Sequence, residues 1–178
     1  MELIIKQKLF CKISTIKIDK IHYLTRRKMF YIPNQWKLIL INDGSFTQNL
    51  NSLIGQNVSL NIINEYDFTL INQEKVRCVW LEDTINNKLT FAQSLLSSEN
   101  RYPNKARQAK KNSIGKLLIE EKKDIHKELE EIYCGYSSYF NNHFKTQELI
   151  WARKCAIYYK ECYVASINEI FSPKLMLF

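Results

Sequence analysis

No stretch of the chain is apolar for long enough to cross a membrane. The longest candidate, Leu38 to Ile41, is a small fraction of the roughly 20 residues that a helical span needs. The amino terminus, Met1-Glu2-Leu3-Ile4-Ile5-Lys6, carries an acid and then repeated lysines. It lacks the apolar core and small-residue cleavage site of a secretory leader, and the Ser- and Arg-rich, acid-free character of an import peptide. A protein working in the compartment where it is made is expected. The cysteines Cys11, Cys78, Cys134, Cys155 and Cys162 are odd in number and scattered, with no Cys-x-x-Cys spacing. That pattern argues against a disulfide scaffold or a zinc site and for a reducing compartment. His22, His126 and His143 lie far apart, so neither a metal site nor a His-centred triad is expected. There is no internal repeat, low-complexity tract or second-domain linker.

With 178 residues, 46% of them hydrophobic, the chain can bury one substantial core and reads as a single domain. A net charge of +8 fits a nucleic acid, an anionic membrane surface or a small anionic ligand as partner. The densest basic segment, Arg101 to Lys111, holds one aromatic, Tyr102, and no RNA-binding aromatic motif or helix-turn-helix accompanies it. It reads as a solvated loop that attracts anions, so no nucleic-acid partner is expected. The abundance of Asn, Ile and Lys resembles the product of an AT-rich genome, which makes part of the charge compositional.

The most informative stretch is carboxy-terminal. Two runs rich in Tyr, Ile, Val and Ala, from Ile150 to Tyr159 and from Cys162 to Phe171, flank the short polar break Lys160-Glu161. This is a hairpin signature even without glycine. A two-residue loop places Arg153 opposite Asn168, and a three-residue loop places it opposite Glu169. On their own strands Arg153 alternates with Trp151, Cys155 and Ile157, and Glu169 with Ala165, Ile167 and Phe171. Both charges therefore sit on apolar faces, where a charge needs a partner. They read either as a structural cross-strand ion pair or as part of a site.

Upstream, Met1 to Ile32 forms an amino-terminal arm, in which Lys12 to Ile18 is an edge strand or partly ordered, before a domain over residues 33–178. Gln35 to Ile41 is a short apolar element leading to the turn Asp43-Gly44-Ser45, and Thr47 to Ile54 reads as an amphipathic helix stopped by Gly55. Four strands follow: Val58 to Ile63, Phe68 to Asn72, Val76 to Leu81 and Leu89 to Leu96. Their short polar turns imply antiparallel pairing. Arg77 shares a face with Val79 and Leu81, while Val76, Cys78 and Trp80 take the other. Both faces are apolar, so this strand is central and its arginine must meet an anion. Ser97 to Asn112 is a long polar loop, and Ser113 caps a helix start at Ile114 whose free N–H groups favour a carboxylate. Asp124 to Tyr133 fits a helix or a strand, and Tyr136 to Lys145 reads as an aromatic-rich connection.

Taken in order, several of these stretches resemble the chorismate lyases. They are the element leading into Asp43-Gly44-Ser45-Phe46-Thr47, the strands from Val58 to Asn72, Arg77, Ala92 to Leu96, and Ser113-Ile114-Gly115. Trp151-Ala152-Arg153 and Asn168-Glu169-Ile170-Phe171-Ser172-Pro173 complete the set. The resemblance covers roughly Pro33 to Pro173 and is nearest the plastid-encoded branch, which implies the plastid stroma. It also implies an α+β fold, one antiparallel sheet with flanking helices and flaps enclosing a small-ligand pocket. The reaction would be conversion of chorismate to 4-hydroxybenzoate and pyruvate without metal or organic cofactor. The partner is then a small cyclic or aromatic acid, with no membrane insertion and a monomer favoured. By this likeness Arg77 takes a carboxylate, and Glu169 hydrogen-bonds the ring hydroxyl and acts as proton acceptor or donor as the ring aromatises. The N–H of Ile114 binds product, and Phe46 covers the ring. Arg153, from the hairpin geometry, holds Glu169 ionised. Two positions depart from the pattern: Ser94 stands where several bacterial enzymes carry a second arginine, and Phe46 where an unbranched apolar residue is usual. The fold also serves as a ligand-sensing domain in bacterial regulators, so a non-catalytic acid binder stands beside the lyase, with binding through Arg101 to Lys111 third.

Overall fold

The computed structural model describes residues 10–18, 32–42, 44–68, 74–97 and 125–178. Within them the β-branched and aromatic runs pair into one open antiparallel sheet. Its strands are β1 (Cys11–Lys17), β2 (Ser59–Phe68), β3 (Glu74–Glu82), β4 (Lys88–Leu96), β5 (Ile125–Tyr136), β6 (Ile150–Tyr159) and β7 (Cys162–Phe171), in the order β1-β5-β6-β7-β4-β3-β2. The helices are α1 (Asn34–Leu40), α2 (Phe46–Ile54) and α3 (Ser138–Phe144), and a short 3₁₀ turn, Pro173–Leu177, follows β7.

Side chains alternate across a strand, so each face collects its own core. On one face Leu81, Ile132, Trp151 and Phe171 pack against Trp36, Ile39 and Leu40 of α1 and Phe46 and Leu50 of α2. On the other, Val76, Trp80, Phe91, Ala152 and Ile170 pack under Phe140 and Phe144 of α3. Helix α2 ends at Gly55, whose φ of 67° is the left-handed conformation that glycine adopts without a Cβ clash. Gly135 has a different reason: a Cβ there would stand 2.0 Å from the carbonyl oxygen of Cys11, so only glycine lets β1 come this close to β5.

The β6–β7 hairpin combines both anticipated registers. Its loop has two residues, Lys160 (φ 46°) and Glu161 (φ 64°), and Tyr159 faces Cys162. The positive pair is the geometry of the tight hairpin turn usually made by Asn and Gly. Tyr158 pairs with Tyr163 but Ile157 pairs with Ala165, so Val164 is taken up as a bulge. That single extra residue brings Arg153 opposite Glu169 rather than Asn168.

Elsewhere the chain departs from its sequence pattern. The strand expected at Val58 to Ile63 runs on as β2 through the expected turn to Phe68, and the remainder of the strand expected at Phe68 to Asn72 lies outside the described residues. The polar run Asn64 to Asp67 continues the ladder with Cys78 to Lys75, after a register shift between Ile62 and Asn64. An edge strand with one bulge can tolerate a polar run that reads as a turn. Residues 138–144, expected as a connection, form α3, held by Asn141. Its Oδ1 accepts from the Ser137 N–H at 2.9 Å, and its Nδ2 donates to the carbonyls of Thr146 and Glu148. The ambiguous stretch after Asp124 is strand β5, and the amino-terminal candidate is edge strand β1.

Candidate functional site

Arg77 lies mid-strand in β3, between Glu65 of β2 and Ser94 of β4 in the ladder, and is 4% exposed. Glu169 lies mid-strand in β7, between Ala92 of β4 and Arg153 of β6, and is 7% exposed. The register puts both on one sheet face. There they line a half-enclosed cavity of about 90 Å³ with Val79, Leu81, Ala92, Ser94, Ile157 and Ile167. Gly44 to Thr47, the approach to α2 and its first turn, forms a further wall, with Phe46 among the lining residues. The space is smaller than the roughly 150 Å³ cavity that takes up a single benzene, and it is open on one side.

Arg153 stands behind this cavity, fully buried. Its Nε donates to Glu169 Oε2 at 2.6 Å. Its Nη1 donates to the carbonyls of Ile39 (2.7 Å), Leu40 (3.2 Å) and Asn42 (2.7 Å). The last carbonyls of a helix have no partner within it and carry partial negative charge, so a buried guanidinium suits the end of α1. One residue thereby ties α1 to the sheet and clamps the carboxylate. The guanidinium also lies over the rings of Phe46 and Phe171, at 5.4 and 5.6 Å from their centroids. Its Nη2 has no hydrogen-bond partner among the described residues.

Burial alone would raise the pKa of Glu169. The charge of Arg153, the nearby charge of Lys127 and the Arg153 hydrogen bond together outweigh it and hold the carboxyl below its ordinary range. Glu169 is thus an anion with one oxygen committed.

The structure brings Arg77, Glu169 and Phe46 together on one cavity and sets Arg153 immediately behind it. Ser94 lines the same space opposite Arg77. Ile114 and the basic segment Arg101 to Lys111 lie outside the described residues. One charged lining residue went unanticipated: Lys127 of β5. Its stretch read equally as helix or strand, so no face could be assigned to it. Among the described residues no group of His, Cys, Asp and Glu could hold a metal ion, and no helix is long and apolar enough to cross a membrane.

A wider hollow of about 320 Å³ lies on the opposite sheet face, beside Lys12, Gln93, Tyr133, Lys154 and Asn168. Its polar groups are largely engaged with one another. Lys12 binds Glu131 at 2.8 Å, Lys154 binds Glu130 at 3.0 Å, and the Tyr133 hydroxyl donates to Asn168 at 2.8 Å. The smaller cavity, lined by the buried charges of Arg77 and Glu169, is the better ligand site.

Such a sheet, with helices closing a charged cavity on one face, defines an α+β domain of the chorismate lyase-like fold. The chain belongs to the chorismate pyruvate-lyase Rv2949c-like family, whose model matches residues 40–178. It is similar to the uncharacterized protein ycf21 of Antithamnion sp., at 40% identity over 166 residues, 93% of this chain and 87% of that one. It is similar also to that of Pyropia yezoensis, at 30% identity over 175 residues, 93% of this chain and 94% of that one. Among solved structures, PhnF from Mycobacterium smegmatis matches with a TM-score of 0.58 at 10% identity. That match covers 75% of this chain and 66% of that one, just under two thirds of its length. The gene product SA0254 from Staphylococcus aureus matches with a TM-score of 0.50 at 13% identity, over 74% of this chain and 89% of that one. These two likenesses establish the fold alone.

Proposed function

We propose that the chain eliminates pyruvate from chorismate to leave 4-hydroxybenzoate. In this elimination the ether C–O bond breaks and its electron pair leaves with enolpyruvate, which takes up a proton to become pyruvate. The ring carbon bearing the hydroxyl loses its proton as the ring becomes aromatic. Aromatisation supplies the driving force, so the protein has mainly to orient a dianion and handle charge and protons. Arg77 holds the ring carboxylate through a bidentate contact. Glu169 hydrogen-bonds the ring hydroxyl and accepts the proton that the carbon bearing it loses as the ring aromatises. Phe46 packs against the ring, and the Ile114 N–H contacts the product. Arg153 touches no substrate; it orients Glu169.

The observation that carries this reading is that Arg77 and Glu169 line one cavity in a chain of this family. A non-catalytic binder of a small aromatic acid is the second reading. Its support is the depressed pKa of Glu169, since a carboxylate held ionised is a good acceptor for a ring hydroxyl but a weak base. A plastid stromal location is supported by the ycf21 name carried by the red-algal relatives.

The test is pyruvate release from chorismate by the wild type, Glu169→Gln and Arg77→Ala. Each substitution lowers the rate at least tenfold, about 1.4 kcal/mol of barrier. Unchanged turnover in both variants rules out the assignment.

A further inference from the structure

On the α3 side of the sheet a half-open hollow of about 200 Å³ is lined by Lys88, Lys145, Lys174, His143 and the turn Asn86-Asn87. These residues come from separate parts of the chain: the β3–β4 hairpin, the carboxy-terminal end of α3 and the 3₁₀ turn after β7. The Ser172 N–H donates to the Leu89 carbonyl at 2.9 Å, and the Ser172 Oγ accepts from the Lys174 N–H at 3.3 Å, which brings Lys174 to the start of β4. Trp80 organises the rest. It is buried, the His143 ring stacks on it at 5.3 Å and 8°, and the Lys88 ammonium lies 4.8 Å over it. The His143 ring is fixed in turn by its Nδ1–H, which donates to the Tyr139 carbonyl at 2.8 Å.

The lysines of this hollow meet no anion. Lys88, Lys145 and Lys174 make no side-chain hydrogen bond or ion pair among the described residues. The acids in this part of the fold are committed elsewhere. Asp83 gives Oδ1 to the N–H groups of Ile85 (3.0 Å) and Asn87 (2.8 Å), and Oδ2 to the Asn87 amide at 2.8 Å. Lys174 reaches it by its field alone. Glu82, opposite Lys88 in the ladder, accepts from Asn61 Nδ2. Lys145 also stands at φ 53°, the left-handed position that ends α3, where glycine is at ease and lysine is strained. Like charges gathered without a counter-charge repel one another, and a bound anion relieves that. Planar carboxylates are best met by the arginine fork; lysine acts as a point charge, and ammoniums carried by three chain segments suit an anion with oxygens on every side.

We propose that this hollow binds a phosphoryl group, as inorganic phosphate or a small phosphate monoester, on the sheet face opposite Arg77 and Glu169. A concave space of this size takes one such group, whereas a nucleic-acid strand needs cations spread along a groove.

The experiment follows the indole N–H signals of Trp36, Trp80 and Trp151 by NMR as inorganic phosphate, glycerol 3-phosphate or acetate is added at constant ionic strength, with Trp80→Phe to assign the Trp80 signal. Both phosphates shift that signal saturably, the signals of Trp36 and Trp151 on the other face stay in place, and acetate binds at least about tenfold more weakly. Lys88→Gln and Lys174→Gln each weaken phosphate binding at least about fivefold. Lys160→Gln, which removes the same charge at the other end of β7, changes it less than about twofold. Lys145→Gly weakens binding and raises the thermal midpoint, so the loss of affinity there is not a loss of fold. Tighter binding of glycerol 3-phosphate than of inorganic phosphate makes a monoester the ligand; the reverse order makes it the free ion. No saturable shift at Trp80, equal weakening by Lys160→Gln, or acetate bound as tightly as phosphate overturns the proposal. So does a short oligonucleotide that shifts Trp80 where neither phosphate does.

Discussion

Replacing Arg153 with Met keeps most of the buried stem and removes the guanidinium. Three consequences follow from its contacts. Glu169 is left as a buried anion without its 2.6 Å partner, the carbonyls of Ile39, Leu40 and Asn42 lose a shared donor, and the rings of Phe46 and Phe171 lose the cation over them. Breaking one side of a buried ion pair costs about 3–5 kcal/mol, because the remaining charge is stranded. The carbonyls share one nitrogen, so they add only about 1 kcal/mol. A loss of about 4–6 kcal/mol is therefore expected for Arg153→Met. In a chain of this length it lowers the thermal midpoint by roughly 8–24 °C. Glu169→Gln strands no anion, and the guanidinium keeps its carbonyl partners, so about 1–3 kcal/mol is expected there. The double variant should be less destabilised than the sum of the singles by at least about 1 kcal/mol, since the two residues share one interaction. Urea titration of the four proteins at pH 7 closes the cycle. A loss below about 1 kcal/mol for Arg153→Met, or additivity within about 0.5 kcal/mol, would refute Arg153 as the clamp joining α1 to Glu169.

The same clamp sets a pH dependence. The Glu169 carboxyl titrates lower in the folded protein than in the unfolded chain, where it lies near 4.3. Between the two values the unfolded state binds the proton and the folded state does not, so stability rises with pH there. Its contribution is complete above about pH 5 and is lost as the pH falls through the folded value. Urea midpoints from pH 3 to 7 should show the gap between wild type and Glu169→Gln narrowing on the acid side; a gap constant across that range contradicts the assignment. At the hairpin, Lys160 and Glu161 hold positive φ at a steric cost of roughly 1–2 kcal/mol per residue. Replacing them with Asn and Gly should stabilise the protein by about 1–2 kcal/mol, read as a higher thermal midpoint; an unchanged midpoint counts against the strain.

What could be read from the sequence was set by how local its cause is. The hairpin, the glycine that ends α2 and the face carrying Arg77, Val79 and Leu81 follow from turn chemistry and two-residue alternation, which act over a few neighbours. The choice of Glu169 over Asn168 as the partner of Arg153 was not local. It depends on one extra residue, Val164, taken up far from either charge. Lys127 escaped for a related reason: the acids and apolar residues around Leu129 satisfy both periods, and only pairing with β1 and β6 makes that stretch a strand. The run Asn64 to Asp67 carries turn residues, yet it stays in the ladder because β3 supplies hydrogen-bond partners that outweigh propensity. The grip of Arg153 on the end of α1 joins residues more than a hundred positions apart and leaves no trace in spacing.

The most direct measurement is product formation by the unmodified protein. Incubated with chorismate, it should form pyruvate and 4-hydroxybenzoate in equal amounts, faster than the uncatalysed background. Chorismate recovered intact beside a protein that binds 4-hydroxybenzoate saturably would contradict the lyase assignment and leave a ligand-binding domain.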